Sequence, residues 1–292
     1  MSAIEMQSLL ARLYVDEYCR LLFRHRPELV LEGYTLTGAE EKALLGIDAD
    51  RLELHAQTLV IKRKGFLRPH FRFLFALNDL TEDRPVERLL KRFHGLHPAT
   101  AEVGKEVEVR LFAAFIAQSL QGSAHAPVYT ADIARYDLAR YETGRLQDRR
   151  AVSPNGHAYA SGASEAITMD DVFSVSRGVR VVQLDYNVID IAAQLQQGRL
   201  PTNVGKKRTT VVLQNRDKRL RTFAVSGPTA LLLHTIDGHR TVRACVDAVE
   251  ASFGATGLSG SIVEVLQRLE EASVLARIPA KEGRTLMKRR AS

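Results

Sequence analysis

The segment Arg221–Val242 constrains this chain more than any other. Residues up to Val225 alternate with the period of a strand. Ser226-Gly227-Pro228 then supplies a helix cap, with proline suited to the first helical position. Gly238 stops that short helix and Thr241-Val242 starts another. This order of strand, capped helix, glycine stop and second helix belongs to a small α+β unit in which strands precede helices.

The flanking sequence extends the same unit. Val172–Val182 alternates as two strands of a hairpin would, with Arg177-Gly178 as the turn. Asp190–Gly198 reads as one short helix ended by glycine. Lys207–Leu213 and Lys218–Val225 read as strands joined by the turn-forming run Gln214–Asp217. After the helix that opens at Ser226, Val242, Cys245, Val246, Val249 and Phe253 trace a buried stripe on a second helix. Ser261-Ile-Val-Glu264 reads as the capping box of a third, running through Val265, Leu266, Leu269 and Val274. A small antiparallel sheet followed by three helices makes a winged-helix-like domain, expected over 170–279.

The first half is helical. Leu9, Leu10, Leu13, Tyr14, Glu17, Leu21 and Leu22 trace a stripe that breaks at Pro27. Thr37-Gly-Ala-Glu40 is a capping box for a helix over Gly38–Leu45, and Asp48 or Asp50 caps a long one over Arg51–Leu77. Pro69 should kink or divide that helix. Its bases (Lys62, Arg63, Lys64, Arg68, Arg72) interleave with Phe66, Phe71, Phe73 and Phe75. Such interleaving can bind nucleic acid, but at helical spacing it describes an amphipathic core helix with a solvated face. Further helices fit Pro85–His94, Ala101–Leu120 and Tyr129–Thr143. The Gly-, Ser- and Ala-rich stretch around Pro154 reads as a linker. The expected organisation is therefore a helical domain over 1–145, a linker over 146–169, the winged-helix-like domain over 170–279 and a basic tail over 280–292.

Charge is unevenly placed. Arg199–Arg221 holds eight basic residues and one acidic residue, a net of +7 that equals the whole-chain figure. The rest is balanced, so this segment is a local positive field facing an acidic peptide, nucleic acid, or solvent as a charge-blunted sheet edge. No apolar run approaches the roughly 18 residues of a membrane span, and the first residues lack the pattern of a secretory signal. A soluble, cytoplasmic protein with no membrane partner is expected. Cys19 and Cys245 lie far apart on the apolar sides of helical patterns, which suggests two buried thiols.

Catalytic signatures are missing from the sequence. Gly257-Leu-Ser-Gly-Ser261 misplaces the last glycine of a nucleophile elbow, and Gly205-Lys206-Lys207 misses phosphate-loop spacing. His94 and His97 have a conceivable ligand spacing but no nearby Cys, Asp or Glu completes a site. The chain is read as non-catalytic, with no metal or cofactor of its own.

Phe223–Val242 resembles the recognition element with which enzymes of ribosomally made peptide pathways hold the leader of a precursor peptide. The similarity spans Arg216–Leu275 and rests on Asp237-Gly238, Thr241-Val242 and the closing pair Val274-Leu275. Arg26–Val30, Tyr34–Glu41 and Tyr129–Glu142 are similar to segments in partner subunits of multinuclear non-heme iron oxidative enzymes. Within that family the chain looks most like the 3-thiaglutamate branch, in which the iron subunit removes a carbon from a C-terminal cysteine of a carrier peptide. Methanobactin-type and bufferin-type partners are near alternatives, and the long linker has no counterpart among them. The resemblance implies a delivery subunit in a heteromeric complex, with iron held by the partner enzyme.

Strand addition then assigns the residues. An acidic leader would pair beside Lys218–Val225, with Arg219, Arg221, Phe223 and Val225 on one face and Leu220, Thr222 and Ala224 on the other. Val263, Leu266, Gln267 and Glu270 of the final helix would form a second wall. Tyr129, Asp132, Arg135, Tyr136 and Arg140 are assigned to docking the iron enzyme, against the plainer view that this helix is a salt-laced face over packing residues. The rival is a winged-helix DNA-binding regulator. The second helix offers only Arg243 beside Asp247 and Glu250, so nucleic acid is the less favoured partner.

Overall fold

The computed structural model describes residues 2–97, 104–120, 126–146 and 166–278. These form thirteen α-helices and five strands, an α+β protein in two compact units. One unit is Met1–Leu138 with Ala192–Thr202, and the other is Ala139–Ile191 with Asn203–Ser292. The units are thus not the contiguous pieces expected on either side of a linker. Most of that linker, 147–165, and the basic tail lie outside the described residues.

The first unit opens with α1 (Ser2–Val15) and α2 (Glu17–His25). The stripe that reads as one helix breaks at Asp16, whose carboxylate accepts from the Cys19 amide at 3.0 Å. A side chain that satisfies an orphan N–H starts a new helix without needing proline. Pro27 opens α3 (Pro27–Leu31). The capping box forms at α4 (Gly38–Leu45), where Thr37 and Glu40 bond each other's backbone N–H groups. Asp48 caps α5 (Ala49–Leu67), and the chain resumes after Pro69 as α6 (Arg72–Leu80), so the proline divides the helix. Then follow α7 (Pro85–Leu96), α8 (Lys105–Ser119) and the start of α9 (Thr130–Arg145), whose residues from Ala139 belong to the second unit. Residues 101–103 of the expected eighth helix lie outside the described residues.

Two kinds of core hold these helices. Leu9, Leu13, Cys19, Phe23, Leu44 and Leu52 form an aliphatic cluster. Phe71, Phe93 and Phe112 are fully buried, with Phe112 edge-on to both partners at 5.0 and 5.2 Å. Phe71, Phe73 and Phe75 are interior, so the basic–aromatic run is a packing helix pair. Arg63 departs from that simple picture, because it is itself buried. Its Nε bonds Glu108, its Nη1 lies 2.8 Å from His94 Nδ1, and its guanidinium sits over the Phe93 ring.

The second unit contains β1 (Val172–Val175), β2 (Val179–Leu184), the start of α10 (Val188–Gln196), β3 (Thr209–Arg216) and β4 (Arg219–Val225). It continues through α11 (Gly227–Thr235), α12 (Val242–Phe253), α13 (Ser259–Glu271) and β5 (Leu275–Ile278). The strands make a three-stranded antiparallel sheet, β2-β3-β4, and a separate pair, β1-β5.

Several expectations change here. The hairpin over Val172–Val182 does not form, because β1 pairs with β5 from Val172↔Ile278 to Val175↔Leu275. Alternation marks a strand but does not say which strand it joins. Ser273 adopts a left-handed φ of 59°, which ends the last helical stretch, and Leu275 begins a strand where the sequence pattern predicts the end of a helix. α13 begins at Ser259 with no side-chain cap, so Ser261-Ile-Val-Glu264 is not a capping box. Gln214, Asn215 and Arg216 belong to β3, and the turn is Asp217-Lys218, both left-handed at φ 52° and 61°. Two positive φ values match the primed two-residue hairpin turn. Phe253 is 50% exposed and leaves the buried stripe, while Val242, Cys245, Val246 and Val249 keep it. Both cysteines are free and buried, and burial pushes both thiols above their ordinary value.

Candidate functional site: an open cationic sheet edge

Among the described residues β4 is an edge strand, with β3 on one side only. Backbone polarity along it follows from the register. Arg216 and Arg219 close a two-residue hairpin, so they exchange hydrogen bonds, as do the pairs Gln214↔Arg221, Val212↔Phe223 and Thr210↔Val225. An independent bond agrees: the Asn215 amide donates to Gly178 O at 2.9 Å, so odd-numbered residues of β3 turn towards β2 and even-numbered ones towards β4. The N–H and C=O groups of Leu220, Thr222 and Ala224 therefore point away from the sheet. Among the described residues none of these three makes a further main-chain bond.

The side chains divide as the alternation requires. Phe223 and Val225 are half-buried and pack against the cluster built around Val212, Leu232 and Val242. Arg219 and Arg221 lie on the same face and are exposed. Lys218 is exposed too, but in the turn and not in the strand. Among the described residues no carboxylate lies within ion-pair distance of Lys218, Arg219 or Arg221. On the opposite face Leu220 and Thr222 are half-buried, with the Thr222 hydroxyl oxygen buried and unbonded. There Asn215 donates to Gly144 O and Leu146 O at 3.1 and 2.7 Å, and Arg180 pairs with Glu142 at 2.9 Å.

The assigned wall on α13 changes character. Gln214 donates to Ala272 O and Ser273 O, which places the end of α13 over the face carrying Arg221. Val263 is half-buried and Gln267 exposed, so both remain accessible. Leu266 is 1% exposed and sits with Phe173, Val242 and Cys245, so it is a core residue and not a ligand wall. Glu270 is held by Arg277 at 3.1 Å, and Arg277 also reaches Asp171 and covers the Phe173 ring. Arg277 was missed by sequence reasoning because β5 was missed, and no local signal marks it. Leu266→Glu should therefore abolish the cooperative unfolding transition of this unit and not act as a selective binding change, because a charge enters a packed core. Circular dichroism during thermal unfolding checks this.

The docking residues assigned to α9 are mostly interior. Tyr129 is 2% exposed and its hydroxyl donates to Pro201 O at 2.9 Å. Burial pushes its phenol up to about 12. Asp132 is 5% exposed and pairs with Arg135, and Tyr136 is buried and stacked on Phe73. Of the five, Arg135 is exposed and Arg140 half-buried, so this stretch follows the plainer view of a packed helix with a salt-laced edge.

Among the described residues no group of three or more His, Cys, Asp or Glu side chains could hold a metal ion. His94 is buried against Arg63, and His97 lies on the Phe93 ring at 4.9 Å. No helix among the described residues is long and apolar enough to cross a membrane. α12 exposes Arg243 with Asp247, and α13 exposes Glu264 and Glu271 with Arg268, a mixed surface that a phosphate backbone does not favour. No protein-family model matches the chain, and no curated protein matches it.

Proposed function

We propose that this chain is a non-catalytic delivery subunit. It binds the leader of a precursor peptide by strand addition at β4 and presents that peptide to a partner iron-dependent oxidative enzyme acting on a C-terminal cysteine. One observation carries the reading: among the described residues, β4 has outward donors and acceptors with no main-chain partner and carries two arginines with no carboxylate in ion-pair distance. Main-chain bonds give a peptide affinity, and alternate side chains give it specificity. The positive field speeds capture of an acidic leader, most strongly at low salt. A held leader raises the effective concentration of the peptide's other end at the partner's metal. The order of strands followed by helices in the second unit supports the same reading.

The test uses backbone polarity. Thr222→Pro removes an outward N–H and spares the bonds to β3, as proline on the open side of an edge strand can. It should leave the unfolding transition in place and abolish binding of an acidic peptide in fluorescence anisotropy. Turnover of the full precursor by the complex should fall in parallel. Phe223→Pro removes an inward donor and should disrupt the hairpin itself. Unchanged peptide affinity in a folded Thr222→Pro protein overturns strand addition. A wild-type preference for one duplex DNA site over any peptide returns the regulator reading.

A further inference from the structure

We propose that the β4 edge reads a directional pattern: two apolar residues followed, at alternate positions, by two carboxylates, on a strand antiparallel to β4. This rests on the reading that β4 receives a peptide. The outward groups of Leu220, Thr222 and Ala224 form the new ladder bonds. Arg219, Arg221, Phe223 and Val225 then occupy its non-hydrogen-bonded positions, where opposed Cα atoms lie about 4.5 Å apart and side chains meet most closely. All four share one face, so they read the incoming strand at every second residue.

Order along that strand follows from order along β4. In an antiparallel array the peptide meets Val225 first, then Phe223, Arg221 and Arg219. Half-buried Val225 and Phe223 extend the apolar cluster to the strand's first two read positions. Exposed Arg219 and Arg221 face the next two, with no carboxylate of the described residues to neutralise them. The pattern is apolar-x-apolar-x-acidic-x-acidic. Antiparallel addition continues the geometry of both sheets, whose strands all pair that way, and its ladder is the more stable per residue. A second copy of β4 is a poorer occupant. Centred on Thr222 it would set Arg219 against Val225 and Arg221 against Phe223, leaving the two Arg221 side chains as like-charged diagonal neighbours.

Three labelled peptides of equal length test this against the full chain by anisotropy: Val-x-Val-x-Glu-x-Glu, its reversed order, and a version with lysine in place of glutamate. The first should bind about tenfold tighter than the reversed one, from two charge pairs and two apolar pairs of ordinary size, and the lysine version should not bind. The double variant Arg219→Glu/Arg221→Glu should invert the preference, losing the glutamate peptide and gaining the lysine one. Thr222→Pro should abolish every one of these signals. Equal binding of both orders, or tighter binding of the reversed order, with loss in Thr222→Pro, overturns the pattern and leaves strand addition standing. Absence of binding by all three peptides, or binding indifferent to Thr222→Pro, overturns the underlying reading as well. A concentration-dependent dimer that Thr222→Pro dissolves assigns the edge to a second copy and overturns the proposal.

Discussion

Replacing Asp137 with alanine should destabilise the first unit by about 2–5 kcal/mol, the combined cost of leaving two buried donors unsatisfied. Asp137 is 1% exposed, and one carboxylate oxygen accepts from the Phe73 and Leu74 amides at 3.0 and 2.9 Å. Those amides open α6, where Phe71 offers no side-chain cap. Asp137 therefore caps a helix that is distant in sequence, and its negative charge also suits the helix N-terminus. Asp137→Asn keeps an acceptor and loses the charge, so it should cost less. Denaturant unfolding followed by circular dichroism checks the ranking, with a lowered midpoint and an unchanged slope as the expected form.

Arg63→Met should cost about 3–5 kcal/mol, the usual result of removing one partner from a buried ion pair. It strands Glu108, whose side chain is 12% exposed, and empties the site over the Phe93 ring. The double variant Arg63→Met/Glu108→Gln should recover part of the loss, because no charge is then left alone. His94 shares the cluster and adds a pH dependence. Arg63 can only donate, so His94 Nδ1 accepts, and the proton sits on Nε2. Burial first, and the Arg63 charge second, push the imidazole down from 6.5 to about 4. Between those values the unfolded chain binds a proton that the folded chain does not. Stability is then complete above about pH 6.5 and falls as pH drops towards 4, by up to about 1.4 kcal/mol per unit. Unfolding midpoints measured across that window check the slope. It should become shallower in Arg63→Met, where one cause of the depression is gone.

These two clusters were not legible as clusters in the sequence. Asp137 read as part of a salt-laced helix face, and Arg63 as one base among several on an amphipathic helix. Both are polar side chains whose partners lie far along the chain, and periodicity carries no information about such partners. The same blindness placed Tyr129, Asp132 and Tyr136 on a docking face when they are interior.

What the sequence determined by itself was local. Thr37 with Glu40, Asp48, Ser226 and Thr241 cap helices because a short side chain meets a backbone amide two or three residues on. Pro69 divides a helix for want of an N–H. Arg219, Arg221, Phe223 and Val225 share a face because side chains alternate along any strand. Tertiary structure decided which strands pair, as β1 with β5, and which apolar residue lies inside, as Leu266, because hydrogen bonds and burial join residues that no sequence spacing relates. It also decided that β3 lies between β2 and β4, so that among the described residues β4, like β2, keeps one side of its backbone unpaired.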